Sequence, residues 1–351
     1  MPGVKRDDLV VRDGSGLTCA AGGLTIDPWR GVETAVITHG HSDHARRGSG
    51  LYIATEASAP ILRHRLGREI RLRTVDYGEP IDFGPVRVSL HPAGHLLGSA
   101  QVRVEHRDEV WVVTGDYKRD PDPTCAPFEV VTCDVLISEC TFGLPIYRWP
   151  DARLEFDEVN AWWRACREMG RTAVLSVYSL GKAQRVLASV DACIGPIGVH
   201  GAVDPLCRVY REAGVKLPEW VKVSPDSAKQ LKGCGLVLAP PSALGTAWVK
   251  RLAPVSAAAA SGWMRVRGRR RREGLDRGFV ISDHADWPGL LRTFEETGAR
   301  RIGLTHGSTG SLERYLRGIG KEAFSIDTRY VGEGGDEIEA KGEGGLNEVV
   351  S

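Results

Sequence analysis

The hydrophobic rhythm of the chain changes twice. Through about residue 145 apolar positions come in short or alternating runs: "GGLTIDP", "TAVITHGH", "GLYIAT", "VRVSLHPAGH", "AQVRVEHR", "EVWVVTGDY" and "DVLISECTFG". Glycine, proline, histidine and aspartate punctuate these runs, and such patterning predicts short strands. "SDHARRGS" and "EASAPILRHRLG" are the helical candidates of this part. From about residue 150 helical spacing appears in "DEVNAWWRACREMG", "LGKAQRVLASV", "VDPLCRVYREAG" and "TAWVKRLA". These alternate with the strand-like "TAVLSVYS", "PIGVHG" and "GLVLAPPSALG", which predicts a parallel α/β sheet. After about residue 278 the first rhythm returns in "GFVISDHAD", "ARRIGLTHGS" and "FSIDTRYV". An α/β domain inserted into a β-rich one is the expected organisation. The outer domain takes residues 1–145 and 276–331, the insert 146–275, and an acidic, glycine-rich tail 332–351. The biased stretch "SAAAASGWMRVRGRRRRE" reads as a loop or as a strand followed by a basic turn.

A length of 351 residues agrees with about two domains. A hydrophobic fraction of 42% and a charged fraction of 26% exclude disorder throughout. The opening "MPGVKRDDLVVRDG" lacks the apolar core of a signal peptide, and no run approaches the roughly 20 apolar residues of a membrane span. A cytoplasmic protein is expected. The eight cysteines form no C-x-x-C pair, so they read as buried small hydrophobes rather than a zinc ribbon or a disulfide framework. Charge is unevenly spread. Gly332–Ser351 holds six acids and one base, a net −5, so the net +1 of the chain leaves +6 for the rest. A mildly basic, arginine-rich body fits a phosphate-rich partner.

Metal-type side chains stand out against this background. His39, His41, Asp43 and His44 crowd into "HGHSDH", directly after the apolar run Ala35-Val36-Ile37. His95 follows in "HPAGHLLGSA", Asp116 in "VVTGDYKRD" and Glu139 in "LISECTFG". Asp283, His284 and Asp286 come in "ISDHADW", and His306 in "LTHGS". Nearly all sit just past a strand-like run, where loops at one sheet edge can converge. Imidazoles and carboxylates without thiols suit two divalent cations, zinc or manganese. His39 and His41 alternate along an extended segment and can point the same way. Asp43 and His44 can aim at a second position, and a carboxylate such as Asp116 can bridge. Two such ions would polarise a water between them and offset charge in an in-line displacement. His91 stays outside the set, and His64, His106 and His200 read as ordinary surface or core residues. Asp27 either orients a ligand histidine through its ring N–H or forms a turn.

The ordered series HGHSDH, AGHLLGSA, GDYKRD, ISECTFG, SDHAD and THGS resembles the β-CASP nucleases of the metallo-β-lactamase fold. "GLTIDPWRGVETAVITHGHSDHAR" is most similar to the ligase-associated DNA exonucleases of that branch. The resemblance runs from about residue 17 to 330. It implies an α/β fold, the αββα sandwich with an inserted, reduced β-CASP domain covering the metal site. It implies one metal on His39, His41 and His95, another on Asp43, His44 and His306, and Asp116 between them. Glu139 would match the acidic motif after the bridging strand, and His284 the histidine near the leaving group. "VYSLGKAQRVL" is similar to an element of the β-CASP domain, with Lys182 where an arginine is common.

The function expected is metal-dependent hydrolysis of DNA phosphodiesters, as an exonuclease in repair, with Asp43, Asp116, Glu139 and His284 catalytic. A DNA ligase and a helicase of the same pathway are the partners the resemblance implies. Basic residues expected to guide the strand are Arg46, Arg47, Lys118, Arg119, Lys182, Arg185 and the run Arg269-Arg270-Arg271-Arg272, with a solvated loop as the other reading of that run. Trp248 and Trp263 could stack on bases, whereas the helical spacing of Trp162 and Trp163 assigns them to a core. An RNA-processing nuclease, a hydrolase of small esters or thioesters, and a non-catalytic binding subunit are the alternatives.

Overall fold

The computed structural model describes residues 8–329 except 267, 269, 270, 272 and 273. The chain divides into two compact units, one made of the residues up to Tyr147 with those from His284 onward, the other of Arg148–Asp283.

Strands are numbered in chain order. In the first unit one sheet runs β1 (Val11–Arg12), β2 (Leu17–Cys19), β3 (Leu24–Ile26), β4 (Thr34–Val36), β5 (Leu51–Thr55) and β6 (Leu72–Val75), in that order. Its first two pairings are antiparallel and the rest parallel. The second sheet holds β7 (Ile81–Phe83), β8 (Val86–Pro92), β9 (Ala100–His106), β10 (Glu109–Val113) and β11 (Val135–Glu139), continued by β18 (Arg301–Thr305) and β19 (Glu322–Ser325). From β10 onward its pairings are parallel.

Period-two alternation divides these strands between cores. Val36, Ile53, Trp111, Val113, Val135 and Ile137 pack between the two sheets. The intervening Ala35, Ile37 and Tyr52 turn to the helix Ala59–Leu66. Val112, Leu136, Ile302 and Leu304 turn to the helices Trp287–Glu296 and Thr309–Gly318. Helix, sheet, sheet, helix is the αββα layering of the metallo-β-lactamase-like fold.

The second unit has one six-stranded sheet: β12 (Thr172–Ser176), β13 (Ile197–Val199), β14 (Val221–Lys222), β15 (Leu236–Ala239), β16 (Val255–Ala260) and β17 (Arg277–Phe279). The spatial order is β14-β13-β15-β12-β16-β17 with every pairing parallel. Ala173, Leu175, Leu236 and Leu238 face a core that includes Trp162 and Trp163 of the helix Ala152–Glu168. Val174 and Val237 face the opposite side.

Two local expectations need correction, and of two open readings of a third stretch the strand is the one that forms. "SDHARRGS" is not a helix but one turn, closed by Ala45 N–H donating to the His41 carbonyl (2.8 Å). The alanine-rich stretch does form a strand, β16, despite poor strand propensity, because it lies between β12 and β17 where small side chains fit. "RGF" at Arg277–Phe279 pairs with β16, so the third sheet extends past residue 275. Among the described residues no helix is long and apolar enough to cross a membrane.

Candidate metal centre

The metal-type residues of the first unit gather where β3, β4, β11 and β18 end. Strand β4 leaves its sheet at Thr38, whose N–H donates to Asp27 Oδ1 (2.8 Å) instead of a ladder carbonyl. Thr38 Oγ1 donates to Asp27 Oδ2 (2.5 Å) and therefore accepts from His39 Nδ1 (3.0 Å). That leaves the lone pair of His39 on Nε2. His44 Nδ1 donates to the same Asp27 Oδ2 (2.7 Å), which leaves its lone pair on Nε2 as well. Asp27, His39 and His44 lie close enough to hold an ion themselves. Yet His44 gives its Nδ1 proton to Asp27 and His39 gives its own to Thr38, so Asp27 orients one ring directly and the other through Thr38.

The same device recurs at the end of β18. Thr305 Oγ1 reaches the Ser138 carbonyl (3.3 Å) as donor and accepts from His306 Nδ1 (2.9 Å). The tripeptide Thr-His-Gly occurs at both places, Thr38–Gly40 and Thr305–Gly307. Sequence reasoning missed these threonines, although the repeated tripeptide was the signal. Asp27 and His306 have φ values of 44° and 59°, uncommon for residues other than glycine. Such strain gathers at functional sites.

His95 is set by Ser99, whose Oγ accepts from the His95 and Leu96 N–H groups (3.1 Å each). His39 Nε2 and His95 Nε2 then stand 3.1 and 3.2 Å from His41 Nδ1. Asp116 Oδ2 is 3.6 Å from His39 Nε2, 3.6 Å from His44 Nε2 and 3.9 Å from His95 Nε2, while its Oδ1 is 3.7 Å from His306 Nε2. Asp43 joins the second group, its Oδ2 3.8 Å from His44 Nε2. The structure thus brings together His39, His41, His95 and Asp116 on one side and Asp43, His44 and His306 on the other.

These residues fit divalent cations. Zinc–nitrogen bonds of about 2.0–2.1 Å at tetrahedral angles set ligand nitrogens roughly 3.3 Å apart, close to the imidazole spacings found. Asp116 Oδ1 is buried with no hydrogen-bond partner among the described residues. A carboxylate oxygen in that position is costly unless a cation faces it. Burial pushes the Asp116 carboxyl up to about 7, against the opposing pull of His44. Burial lowers His39 well below its usual value, helped by the surrounding imidazoles, and holds His306 at about 3. His44 rises to about 10, because Asp116, Asp43 and Asp27 outweigh its burial. A bound cation would reverse this logic by favouring carboxylate and neutral imidazole.

Beside the two groups lies a third. Glu139 Oε1 and Oε2 both accept from His284 Nδ1 (2.8 and 2.9 Å). The carboxylate also takes the Tyr117 N–H (2.9 Å) and the Thr141 hydroxyl (2.6 Å). Burial alone would raise Glu139; the charge and hydrogen bond of His284, with the Thr141 bond, hold it well below the carboxylate range. The His284 ring lies 4.9 Å from that of His95, centroid to centroid.

Other expected positions fall elsewhere. His91 bonds Glu129 and Ser89, away from the centre. Lys118 is corrected as a strand contact, being buried with its ammonium on the Asp120 carbonyl. Lys182 is corrected likewise: it is buried, 3.5 Å from Asp283 Oδ2 and over the Tyr178 ring. Arg119 is taken by Thr293 and Glu296, and Arg185 by the Ser282 carbonyl. Arg47 is bonded to the Arg65 carbonyl. Trp162 and Trp163 are core residues bonded to Ser256 and the Cys234 carbonyl. Of the arginine run, Arg271 is exposed and Arg269, Arg270 and Arg272 lie outside the described residues.

No family model matches the chain. It is 29% identical over 292 residues to a probable DNA ligase of Opitutus terrae, covering 83% of this chain and 28% of the ligase. It is 33% identical over 123 residues to the endoribonuclease YSH1 of Eremothecium gossypii, covering 34% of this chain and 16% of that protein. The Saccharomyces cerevisiae YSH1 endoribonuclease is 30% identical over 124 residues. A crystal structure of an Enterococcus faecalis V583 protein of unknown function superposes with a TM-score of 0.58 at 11% identity, covering 84% of this chain and 78% of that one. That likeness concerns the fold alone. The chain therefore spans 28% of the ligase and 16% of the fungal endoribonuclease.

Proposed function

We propose that the chain is a metal-dependent phosphodiesterase that shortens DNA from an end in repair. The observation that carries this reading is Asp116, set between two groups of imidazoles with its Oδ2 3.6 Å from both His39 and His44. Two divalent ions, zinc or manganese, would supply Lewis acidity toward a phosphoryl oxygen and a water activated near neutral pH. His39, His41 and His95 would hold one, Asp43, His44 and His306 the other, and Asp116 both. The chain's own groups do the rest. Asp27, Thr38 and Thr305 keep ring nitrogens bare where ligands are needed. Glu139 anchors His284 at Nδ1, which fixes the ring so that Nε2 could deliver a proton to the departing oxygen.

DNA as substrate is supported by likeness to the probable DNA ligase over 83% of the chain. The same likeness is the ground for placing its work beside a DNA ligase. A second reading, RNA as substrate, is favoured by the likeness to the YSH1 endoribonucleases.

End-labelled single- and double-stranded DNA and RNA, each with zinc and with manganese, form the test. Wild-type chain is expected to release nucleotides from a DNA end. Asp116→Ala should lose bound metal and activity together. His284→Ala should keep its metal and slow by about 10²–10⁴. Preferential cutting of RNA would move the reading to RNA, and turnover of small esters with every nucleic acid left intact would end it.

A further inference from the structure

Most basic side chains near the metal centre are engaged, which leaves open what receives a strand in the first unit. Arg12, Arg30 and Arg329 stand apart from the rest. All three are exposed. Among the described residues, no acidic side chain forms an ion pair with any of them. The guanidinium carbon of Arg12 lies 5.3 Å from the centroid of the Trp29 ring, and that of Arg329 5.5 Å. Trp29 is only 7% exposed, so it serves as a floor for the guanidinium groups and not as a base platform. Arg12 Nε donates to the Asp327 carbonyl (3.0 Å), and Arg30 donates from Nε and Nη2 to Ser15 Oγ (3.2 and 3.0 Å). The nearby Asp13 is occupied in its own turn, where Oδ1 accepts from the Ser15 and Gly16 N–H groups.

Strand register puts this cluster at the edge that carries the metal residues. Arg12 pairs with Leu17, Leu17 with Ile26, and Ile26 with Val36, so Arg12 is level with the ends of β3 and β4. Asp27 and Thr38 lie just beyond that level. On the other sheet Leu304 pairs with Ser325, so Asp327 and Arg329 leave β19 at the edge where β18 delivers His306. Trp29 follows Asp27 by two residues, at most about 7 Å of chain.

We propose that Arg12, Arg30 and Arg329 form a phosphate-binding patch that holds the backbone of a nucleic acid strand a few nucleotides from the metal centre. This rests on the reading of the chain as a nucleic acid phosphodiesterase. Guanidinium groups present forked donors that match phosphate oxygens. Fixing two of them on an indole lowers the entropy lost on contact. Three cations without an acidic ion-pair partner among the described residues repel one another, and a polyanion relieves that repulsion.

The test is binding of labelled single-stranded DNA by the 351-residue chain, stripped of metal, across a salt series, measured by fluorescence anisotropy. Removing each arginine should flatten the slope of log affinity against log salt by about 0.7. R12A/R30A/R329A should therefore lose roughly 2 from the slope and bind on the order of tenfold or more weakly at low salt. Its metal content after reloading, measured on a separate sample, should match wild type and so report an intact centre. Arg30 is held by Ser15, so R30A removes neither guanidinium seated on Trp29 and keeps the test valid if the triple variant folds poorly; it should lose about 0.7 alone. R68A, an exposed arginine outside the cluster, should leave the slope unchanged. Wild-type slope in the triple variant and in R30A, or an equal loss in R68A, overturns the patch. Hydrolysis is read separately in wild type. DNA cut by wild type but bound normally by the variants sinks the patch and spares the proposed function. DNA bound through the arginines but never cut does the reverse.

Discussion

Asp27 governs two histidines without offering them a metal ligand of its own. It takes the His44 Nδ1 proton directly and reaches His39 through Thr38. It is also one of three carboxylates that raise His44 to about 10 against the effect of burial. His44 is therefore protonated at neutral pH when no cation is bound, and metal entering at Nε2 must expel a proton. The sign follows: affinity rises with pH up to the His44 value, and metal binding at pH 7 releases protons. Asp27→Asn keeps a residue type that tolerates positive φ, but its amide cannot accept everything the carboxylate accepts. Metal affinity should fall about 10–100-fold, and fewer protons should be released because His44 loses a neighbouring charge. Calorimetric titration with zinc in buffers of different ionisation enthalpy measures both. Unchanged affinity and proton count in Asp27→Asn would remove Asp27 from the site. The sequence exposed the ligand-type residues because imidazoles cluster visibly, but it left Asp27 between an orienting role and a turn. It also hid the fate of Lys118 and Lys182. A lysine beside a metal motif looks like a phosphate contact until its ammonium is found buried on a carbonyl or beside an aspartate.

Strand ends, rather than helices, position the centre, and close backbone approach lets them converge. Gly115 links β10 to Asp116 with φ 56°, and a Cβ built on it would stand 2.6 Å from Thr38 Cβ and Oγ1. The threonine that sets the His39 ring therefore rests against the residue that delivers Asp116. Gly115→Ala must push β4 and β10 apart at this edge. Overpacking of this kind costs about 1–3 kcal/mol, and the metal affinity should fall in the same variant, since Asp116 would leave His39 and His44. A melting curve and a metal titration on one preparation check the prediction. Loss of stability with wild-type metal affinity would show that the strand ends move together. "SDHARRGS" is a helical candidate in sequence, yet His41–Ala45 forms a single turn. The decision came from tertiary partners, which turn His39 inward and close the loop after one turn. Strand β17 lies past residue 275, where the sequence pattern places the outer domain, yet it belongs to the third sheet. "GFVISD" carries strand propensity, but nothing in its pattern says which sheet it joins; parallel pairing with β16 decides that. The strand pattern alone reaches a β-rich layer with a few covering helices; the αββα layering comes only from the resemblance of the ordered motifs to a known family.

At the scale of the whole chain, the metal residues draw on both sequence segments of one unit and on none of the other. Cation binding should therefore stabilise that unit selectively. Without a cation the centre holds a carboxyl raised to about 7 next to imidazoles pulled in opposite directions. That balance gains free energy once a divalent charge enters, and free metal at 100 times its Kd adds about 2.7 kcal/mol to the stability of whatever unfolds with the site. Hydrogen exchange read by mass spectrometry resolves where this appears. Adding zinc to chelated chain should slow exchange in β3, β4, β10, β11 and β18, whose ends carry Asp27, His39, Asp116, Glu139 and His306. The parallel sheet β12–β17 has its own cores and should exchange at the same rate with or without metal. Equal slowing in both units would mean that they unfold as one cooperative body, so that the metal residues of the first unit also fix the stability of the second. Slowing confined to the second unit would contradict the centre described here, because no group of its residues gathers ligand atoms as His39, His41, His95 and Asp116 do among the described residues.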